Sequence, residues 1–302
     1  MSAAVAPRRS TLVGLVGQGV GPSLTPEIHE REALRQGLRY VYKVLELGPG
    51  SVAEDRLRAL LDSAVRMGFD GLNVTHPVKQ AIVPLVDRVT PNVAAIGALN
   101  TVLMTPEGTV GHNTDVTGFA ESLTEGLPDA PRESVVLLGA GGAGTAVAHA
   151  LAGLGVQRLH VADHDRDRVS RLIDSVHAAH PAVRVGPLPT EEVGDVLAAA
   201  SGLVNATPVG MAAHPGLPLD EGMLHPKLWV ADIVYRPVVT GLLRAAADRG
   251  CRTLAGSGMA VHQAADAFEL ITGRTADRAA MARDLTELVA AEMAERATHE
   301  DT

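Results

Sequence analysis

The sequence predicts an α/β protein built as two units, each a parallel sheet covered by helices, and three observations carry that prediction. Apolar, β-rich runs alternate with amphipathic runs almost to the end of the chain. At 302 residues the chain exceeds a typical single domain. A turn-rich stretch, Gly126-Leu127-Pro128-Asp129-Ala130-Pro131, interrupts the alternation near its middle and marks a junction.

Taken in order, the first half predicts a strand at 12–16, a helix at 26–36 and a strand at 40–45. A helix at 56–67 and a strand at 71–74, ending in Thr75-His76-Pro77, follow. Beyond the junction the units run strand 135–138, helix 142–154 and strand 158–162, with later strands at 203–205, 230–233 and 253–254. From Met259 onward the pattern is helical. The predicted division is 1–125 for the first unit, 126–258 for the second, and 259–302 packing back on the first.

Composition narrows the function. Hydrophobic residues are 46% and aromatics only 2%, so the core must be Ala, Val and Leu, and stacking platforms for single-stranded nucleic acid are few. A net charge of -9 disfavours attraction to nucleic acid or an anionic membrane surface, which leaves small molecules as ligands. Cys251 is the only cysteine, so the chain has no internal disulfide and no thiolate metal cluster, and a cytoplasmic location is expected.

Two stretches imitate targeting or membrane segments. Ala6-Pro7-Arg8-Arg9-Ser10 before the apolar run 12–16 resembles a signal-peptide start, but glycines at 17 and 19 cut the run short. The uncharged stretch 134–156 is long enough to span a bilayer, yet Gly139, Gly141, Gly142 and Gly144 suit a strand, a tight turn and a helix start instead.

That glycine cluster is the strongest single motif. Gly139-Ala140-Gly141-Gly142-Ala143-Gly144 matches G-x-G-x-x-G between a predicted strand and a predicted helix, the setting of a Rossmann pyrophosphate loop. Backbone N–H groups at the helix start would face the phosphates. Asp163 ends the next strand, 19 residues after Gly144, where a carboxylate should hold the adenosine ribose.

Three polar clusters occupy loops or strand ends of the first half: Ser23 to Pro26, Asn73 to Lys79, and Asn113-Thr114-Asp115. Each has a structural account: Thr25 as a helix N-cap, Lys79 as an exposed charge, Asp115 as a cap for the helix containing Phe119. Taken singly, these accounts are at least as good as a functional one. Together, the clusters offer hydroxyls, amides, one ammonium and one carboxylate, which suits a small polyhydroxylated acid. No H-E-x-x-H occurs among the 12 histidines and no G-x-S-x-G elbow is present; His76, His112 and His262 are assigned no catalysis and no metal is expected.

With these motifs in view the chain resembles the shikimate dehydrogenase family, in particular its NAD-dependent quinate/shikimate branch. The likeness also runs through Gly97-Ala98-Leu99-Asn100-Thr101, Asn205 to Met211, Asp232 to Pro237 and Gly258 to Gln263, covering nearly the whole chain. It implies an N-terminal substrate domain facing a Rossmann domain across a cleft, and reversible oxidation of a ring hydroxyl of shikimate or quinate by hydride transfer to NAD.

The resemblance further implies residue roles. Ser23 and Thr25 would hold the substrate carboxylate, while Asn73, Thr75, Asn100, Asp115 and Gln263 read ring hydroxyls. Lys79 and Asp115 would flank the reacting carbinol, with the carrier of the proton left open. Thr207, Val209, Ile233, Tyr235 and Gly258 would line the nicotinamide side.

Two departures from the common family pattern bear on specificity. Thr25 stands where shikimate-specific members resemble Ser-x-Ser, and Asp163-His164-Asp165 stands where NADP-using members look like Asn-Arg-Thr. The alternatives are a strict biosynthetic shikimate dehydrogenase using NADP, a relative acting on an aminated analogue, or a noncatalytic NAD-sensing relative. Retention of Lys79 with Asp115 argues against the sensor. A monomer or homodimer is expected.

Overall fold

The computed structural model describes residues 10–48 and 53–300. The basic start Ala6 to Arg9 lies outside them.

The first half runs β1 (Thr11–Gly17), α1 (Thr25–Arg35), β2 (Tyr40–Glu46), α2 (Glu54–Arg66), β3 (Gly71–Val74), β4 (Arg88–Val89), α3 (Pro91–Ile96), β5 (Thr101–Thr105) and β6 (Gly108–His112). These strands form one sheet in the order β2-β1-β3-β5-β6-β4. The sheet is mixed rather than parallel throughout. β1 pairs in parallel with β2 and β3, but β5 runs antiparallel to both β3 and β6. The difference is physical: only Pro106 and Glu107 separate β5 from β6, so the two must form a hairpin, with Gly108 at φ 115 leaving the turn.

α4 (Asp115–Gly126) then leads into the second sheet. There follow β7 (Ser134–Leu138), α5 (Gly142–Gly153), β8 (Arg158–Ala162), α6 (Arg166–Ala179), β9 (Arg184–Pro187), α7 (Val193–Leu197), β10 (Gly202–Asn205), β11 (Trp229–Asp232), α8 (Gly241–Asp248) and β12 (Arg252–Ala255). The order is β12-β11-β10-β7-β8-β9, and every pairing is parallel. Connections reverse between β7 and β10, the switch point at which a doubly wound sheet opens a crevice at its carboxyl edge. α9 (Gly256–Thr272) and α10 (Arg278–Glu300) end the described chain.

Small aliphatic residues fill the core between β7 and α5: Val135, Leu137, Val147, Ala148 and Leu151 are all fully buried. This accounts for the uncharged stretch 134–156, which divides between the central strand and a helix buried on most of its surface. No helix among the described residues is long and apolar enough to cross a membrane. Trp229, the only tryptophan, is buried and donates its indole N–H to the Pro131 carbonyl at 2.9 Å, securing the junction segment.

The two sheets are joined by α4 leaving the first and α9 returning, and these helices pack on each other. A Cβ on Gly118 of α4 would lie 2.9 Å from the Gln263 backbone nitrogen of α9, so a side chain there would push them apart. α10 lies against α1 through Arg35 and Asp284, 2.7 Å apart.

Candidate active site

The polar clusters of the first half meet at one place, along the carboxyl ends of β1 and β3 and the start of α4. Thr25 does not cap α1. The N-cap is Leu24, with no side-chain cap bond, and the Thr25 hydroxyl accepts a hydrogen bond from Ser23 Oγ at 3.2 Å. The loop carrying this pair is held by Glu46 at the end of β2, whose carboxylate accepts from the backbone N–H groups of Gly19, Val20 and Gly21. Sequence reading assigned Glu46 no role, because its partners are set by the pairing of β1 with β2.

Lys79 is not a surface charge. Its Nζ lies 2.6 Å from Asp115 Oδ2, with side-chain exposures of only 18% and 7%, so the pair is shielded from bulk water. Nor does Asp115 cap α4. It is the first helical residue, and its other oxygen accepts from Asn100 Nδ2 at 3.0 Å. Asn100 Oδ1 in turn accepts from the Thr114 backbone N–H at 2.8 Å and from Thr101 Oγ1 at 3.1 Å. Thr101 Oγ1 accepts from Asn73 Nδ2 at 3.1 Å, and Asn73 Oδ1 accepts from the Tyr42 hydroxyl at 2.7 Å. Gln263 joins from α9, where its carbonyl accepts from Thr114 Oγ1 at 3.0 Å. Thr75 packs against the end of β1, its N–H donating to Val16 O at 2.9 Å.

Facing this cluster is the glycine loop: a Cβ on Gly142 would sit 3.9 Å from Lys79 Cδ. The loop has the shape a dinucleotide needs. Gly139 turns at φ 97, a Cβ on Gly144 would strike the Gly139 carbonyl oxygen at 2.0 Å, and a Cβ on Gly141 would meet nothing within 4 Å. The first and third glycines are therefore needed for the turn itself, and the second leaves its backbone open to a ligand. Ala140 and Ala143 lie within this loop and the opening turn of α5.

Asp163 sits beside the loop at the end of β8. Its Oδ2 accepts from Ala140 N–H at 2.7 Å and its Oδ1 from Asp165 N–H at 2.9 Å, which fastens the loop to the turn before α6. A carboxylate oxygen has a further lone pair, so acceptance from ribose hydroxyls is compatible with both bonds. Asp165 caps α6, accepting from Asp167 and Arg168 N–H, and its other oxygen pairs with Arg168 Nε at 3.2 Å. Arg168 is thereby drawn back onto its own helix.

On the far side of the crevice Thr207 Oγ1 donates to Asn205 Oδ1 at 2.6 Å, and Val209 N–H reaches Thr207 Oγ1 at 3.3 Å. Asn205 also donates to Asp232, a buried carboxyl whose second oxygen accepts from Thr240 Oγ1 at 2.6 Å. Burial pushes Asp232 up from its ordinary value, against the hydrogen bonds from Thr240, Val234 and Asn205. This Asn205–Asp232–Thr240 network holds the segments bearing Thr207, Val209 and Ile233. It escaped sequence reading because its members come from three separate segments. Gly258 lies in the first turn of α9, where a Cβ would strike Ser122 Oγ at 2.3 Å, so this glycine also serves helix packing.

Tyr235, expected along the nicotinamide side, also reaches the substrate loop: burial pushes its phenol up, and its hydroxyl interacts with Ser23. Beside it Arg236 donates to the Pro22 carbonyl and pairs with both oxygens of Glu292 at 2.5 and 2.6 Å. Of the histidines, His262 lies between Glu121 and Glu125 of α4, at 3.0 and 3.2 Å, in keeping with a structural residue. No group of acidic, histidine or cysteine side chains among the described residues could hold a metal ion.

Comparison with known proteins places the chain among similar sequences and folds. The profile of the shikimate dehydrogenase substrate binding domain matches residues 15–102, and that of the shikimate 5'-dehydrogenase C-terminal domain matches 256–285. A ThiF family profile matches 113–172, the stretch containing the glycine loop. The chain is 50% identical over 92% of its length, and 96% of the relative's, to a shikimate dehydrogenase (NADP(+)) of Streptomyces avermitilis. It is also 50% identical over 89% of its length, and 95% of the relative's, to a quinate/shikimate dehydrogenase (NAD(+)) of Corynebacterium glutamicum. Among solved structures, the quinate dehydrogenase of Corynebacterium glutamicum in complex with NAD superposes with a TM-score of 0.86 at 47% identity, covering 92% of this chain and 99% of that one.

Proposed function

The chain belongs to the shikimate dehydrogenase family, and from that premise we propose that it oxidises a ring hydroxyl of shikimate or quinate, reversibly, with NAD. The observation that carries this reading is the shielded Lys79–Asp115 pair, placed at the end of a row of amides and hydroxyls and directly beside the glycine loop.

NAD, when bound, supplies the hydride acceptor. The glycine loop 139–144 and the start of α5 hold its pyrophosphate, Asp163 its ribose, and Thr207, Val209, Ile233 and Gly258 line its nicotinamide side. Ser23 and Thr25 hold the substrate carboxylate with their hydroxyls. Asn73, Thr75, Asn100 and Gln263 orient the ring, so that the reacting carbinol lies against Lys79 and Asp115. When the carbinol carbon gives up its hydride and the carbonyl forms, the hydroxyl proton passes to that pair, and the reverse reaction returns it. Residues 1–125 with 259–302 make up the substrate side, and 126–258 the cofactor side. The protein acts in the cytoplasm as a monomer or homodimer.

The preference for NAD rests on charge. A phosphate at the adenosine 2′ position would sit against the Asp163 carboxylate with Asp165 close by, and Arg168 is engaged by Asp165. The Streptomyces relative named for NADP favours the second reading, a strict NADP shikimate dehydrogenase. Initial rates followed by the absorbance of reduced nicotinamide, crossing shikimate and quinate with NAD and NADP, decide between them. Turnover of both acids, with higher kcat/KM for NAD, is expected. Equal or higher kcat/KM with NADP, or no rate with saturating quinate, overturns the corresponding part.

A further inference from the structure

Aromatic residues are only 2% of this chain, yet two of its three tyrosines stand on β2 behind the substrate cluster, with Phe268 and the buried His29 around them. Tyr42 is buried, and its ring meets His29 edge-on with centroids 5.0 Å apart. Its hydroxyl bonds to Asn73 at 2.7 Å. We infer that Tyr42 is a positioning residue of the reaction, fixing which end of the Asn73 amide is offered to the substrate ring.

The direction of one hydrogen bond decides this. Were the Asn73 amide reversed, its NH2 would donate to the tyrosine oxygen, and the phenolic proton would lose the acceptor it has in Asn73 Oδ1. An unsatisfied buried donor is costly, whereas a tyrosine lone pair left idle costs little. Burial also pushes the Tyr42 phenol well above its ordinary value, so it keeps its proton at every pH at which the protein works. Tyr42 therefore donates, Asn73 Oδ1 is committed to it, and Asn73 Nδ2 is turned toward Thr101.

One Nδ2 hydrogen goes to Thr101 Oγ1 at 3.1 Å, leaving the other for the oxygen of a ring hydroxyl. Thr101 then passes its own proton on to Asn100 Oδ1. Asn100 is independently held by the Thr114 backbone N–H, so the reach of Tyr42 ends at Asn73 and Thr101. A site that offers a donor here rejects a substrate lacking that hydroxyl, because Nδ2 is left unpaired.

This inference rests on the reading that Asn73 binds a ring hydroxyl, and a double-mutant cycle separates the two. Tyr42→Phe should raise the substrate KM about five- to ten-fold, the loss of one oriented hydrogen bond, while the KM for NAD changes less than about two-fold. Asn73→Ala should raise the substrate KM at least as much. In the Asn73→Ala background, Tyr42→Phe should add less than about a two-fold change. If Tyr42→Phe leaves the substrate KM at the parent value while Asn73→Ala raises it, the positioning role is overturned. It is equally overturned if Tyr42→Phe acts undiminished without Asn73. If Asn73→Ala alone has no effect, the reading beneath it falls as well. Thr101→Val, which removes the other partner of the Asn73 amide, provides the same cycle should Tyr42→Phe fail to fold, and an unchanged substrate KM there overturns the orientation.

Discussion

An ammonium and a carboxylate that are 2.6 Å apart and shielded from water can exchange a proton with a hydroxyl placed against the pair, in a setting where the charges act more strongly than on an exposed surface. Lys79→Ala should lower kcat by about 10²–10⁴-fold. NAD binding, measured by titration, should stay near the parent's, since the Lys79 ammonium is engaged by Asp115 and the atom nearest a Cβ on Gly142 is its Cδ. A kcat within a few-fold of the parent would exclude Lys79 from the chemical step. A second residue-scale effect belongs to His29, which burial holds down to about 3 from 6.5. Between those values the unfolded chain binds a proton that the folded protein refuses, so stability is complete above 6.5 and declines as pH falls. Near pH 4.5 this amounts to about 2–3 kcal/mol. Urea unfolding at neutral pH and near pH 4.5 should show a smaller acid loss for His29→Phe than for the parent, and equal losses would refute the assignment. That Lys79, Asp115 and Asn100 belong together was legible in the sequence because motifs carry them, and the structure brings them into contact. The structural accounts of Thr25, Lys79 and Asp115 gave way only once their caps and burial were seen. The contacts of Tyr42, Glu46, Asp232 and Thr240 were not legible, because each meets a partner brought close by the fold.

At the scale of elements, most strands of the cofactor half were read to within about two residues, because its central strands β7, β10 and β11 are apolar runs buried on both faces, while β9, partly exposed, was missed. The hairpin β5–β6 was missed. Its strands are short and only partly buried, and their pairing depends on β3 beside them rather than on any apolar run of their own. The glycine loop separates two element-scale effects that one motif combines. Gly144→Ala should disrupt the turn, since its Cβ would overlap the Gly139 carbonyl, so both thermal stability and NAD affinity should fall. Gly141→Ala has open space around its Cβ and should melt like the parent, yet bind NAD about ten-fold or more weakly if that space is where the pyrophosphate approaches. Calorimetry of both variants with and without NAD checks this. A Gly141→Ala protein binding NAD as tightly as the parent would move the cofactor off the loop.

Across the whole molecule, α4 and α9 carry the chain between the two sheets, so the width of the cleft is set by how these helices pack and by contacts at its mouth. Arg236, on the segment after β11, makes such a contact. It reaches the Pro22 carbonyl, one residue before Ser23, and pairs with both carboxylate oxygens of Glu292 on α10. The neighbouring Tyr235 hydroxyl interacts with Ser23 itself. The cofactor half thus grips the loop expected to hold the substrate carboxylate, and steadies it against a helix that packs on α1. Both partners of the ion pair are partly exposed, at 21% and 30%, so solvent and salt weaken the attraction. One guanidinium nitrogen meets both carboxylate oxygens while the other holds the Pro22 carbonyl, and about 1 kcal/mol is a fair measure of the pair's worth. Arg236→Met, which keeps the aliphatic stem and removes the charge, should therefore raise the substrate KM about three- to ten-fold while leaving NAD affinity within about two-fold. Glu292→Gln should give a smaller effect in the same direction, because the contact to Pro22 survives. Raising the salt concentration should narrow the gap between the parent and Arg236→Met, since screening already weakens the pair in the parent. Steady-state kinetics over a range of salt measures all of this. A substrate KM for Arg236→Met equal to the parent's at low salt would show that the clasp does not govern the carboxylate loop.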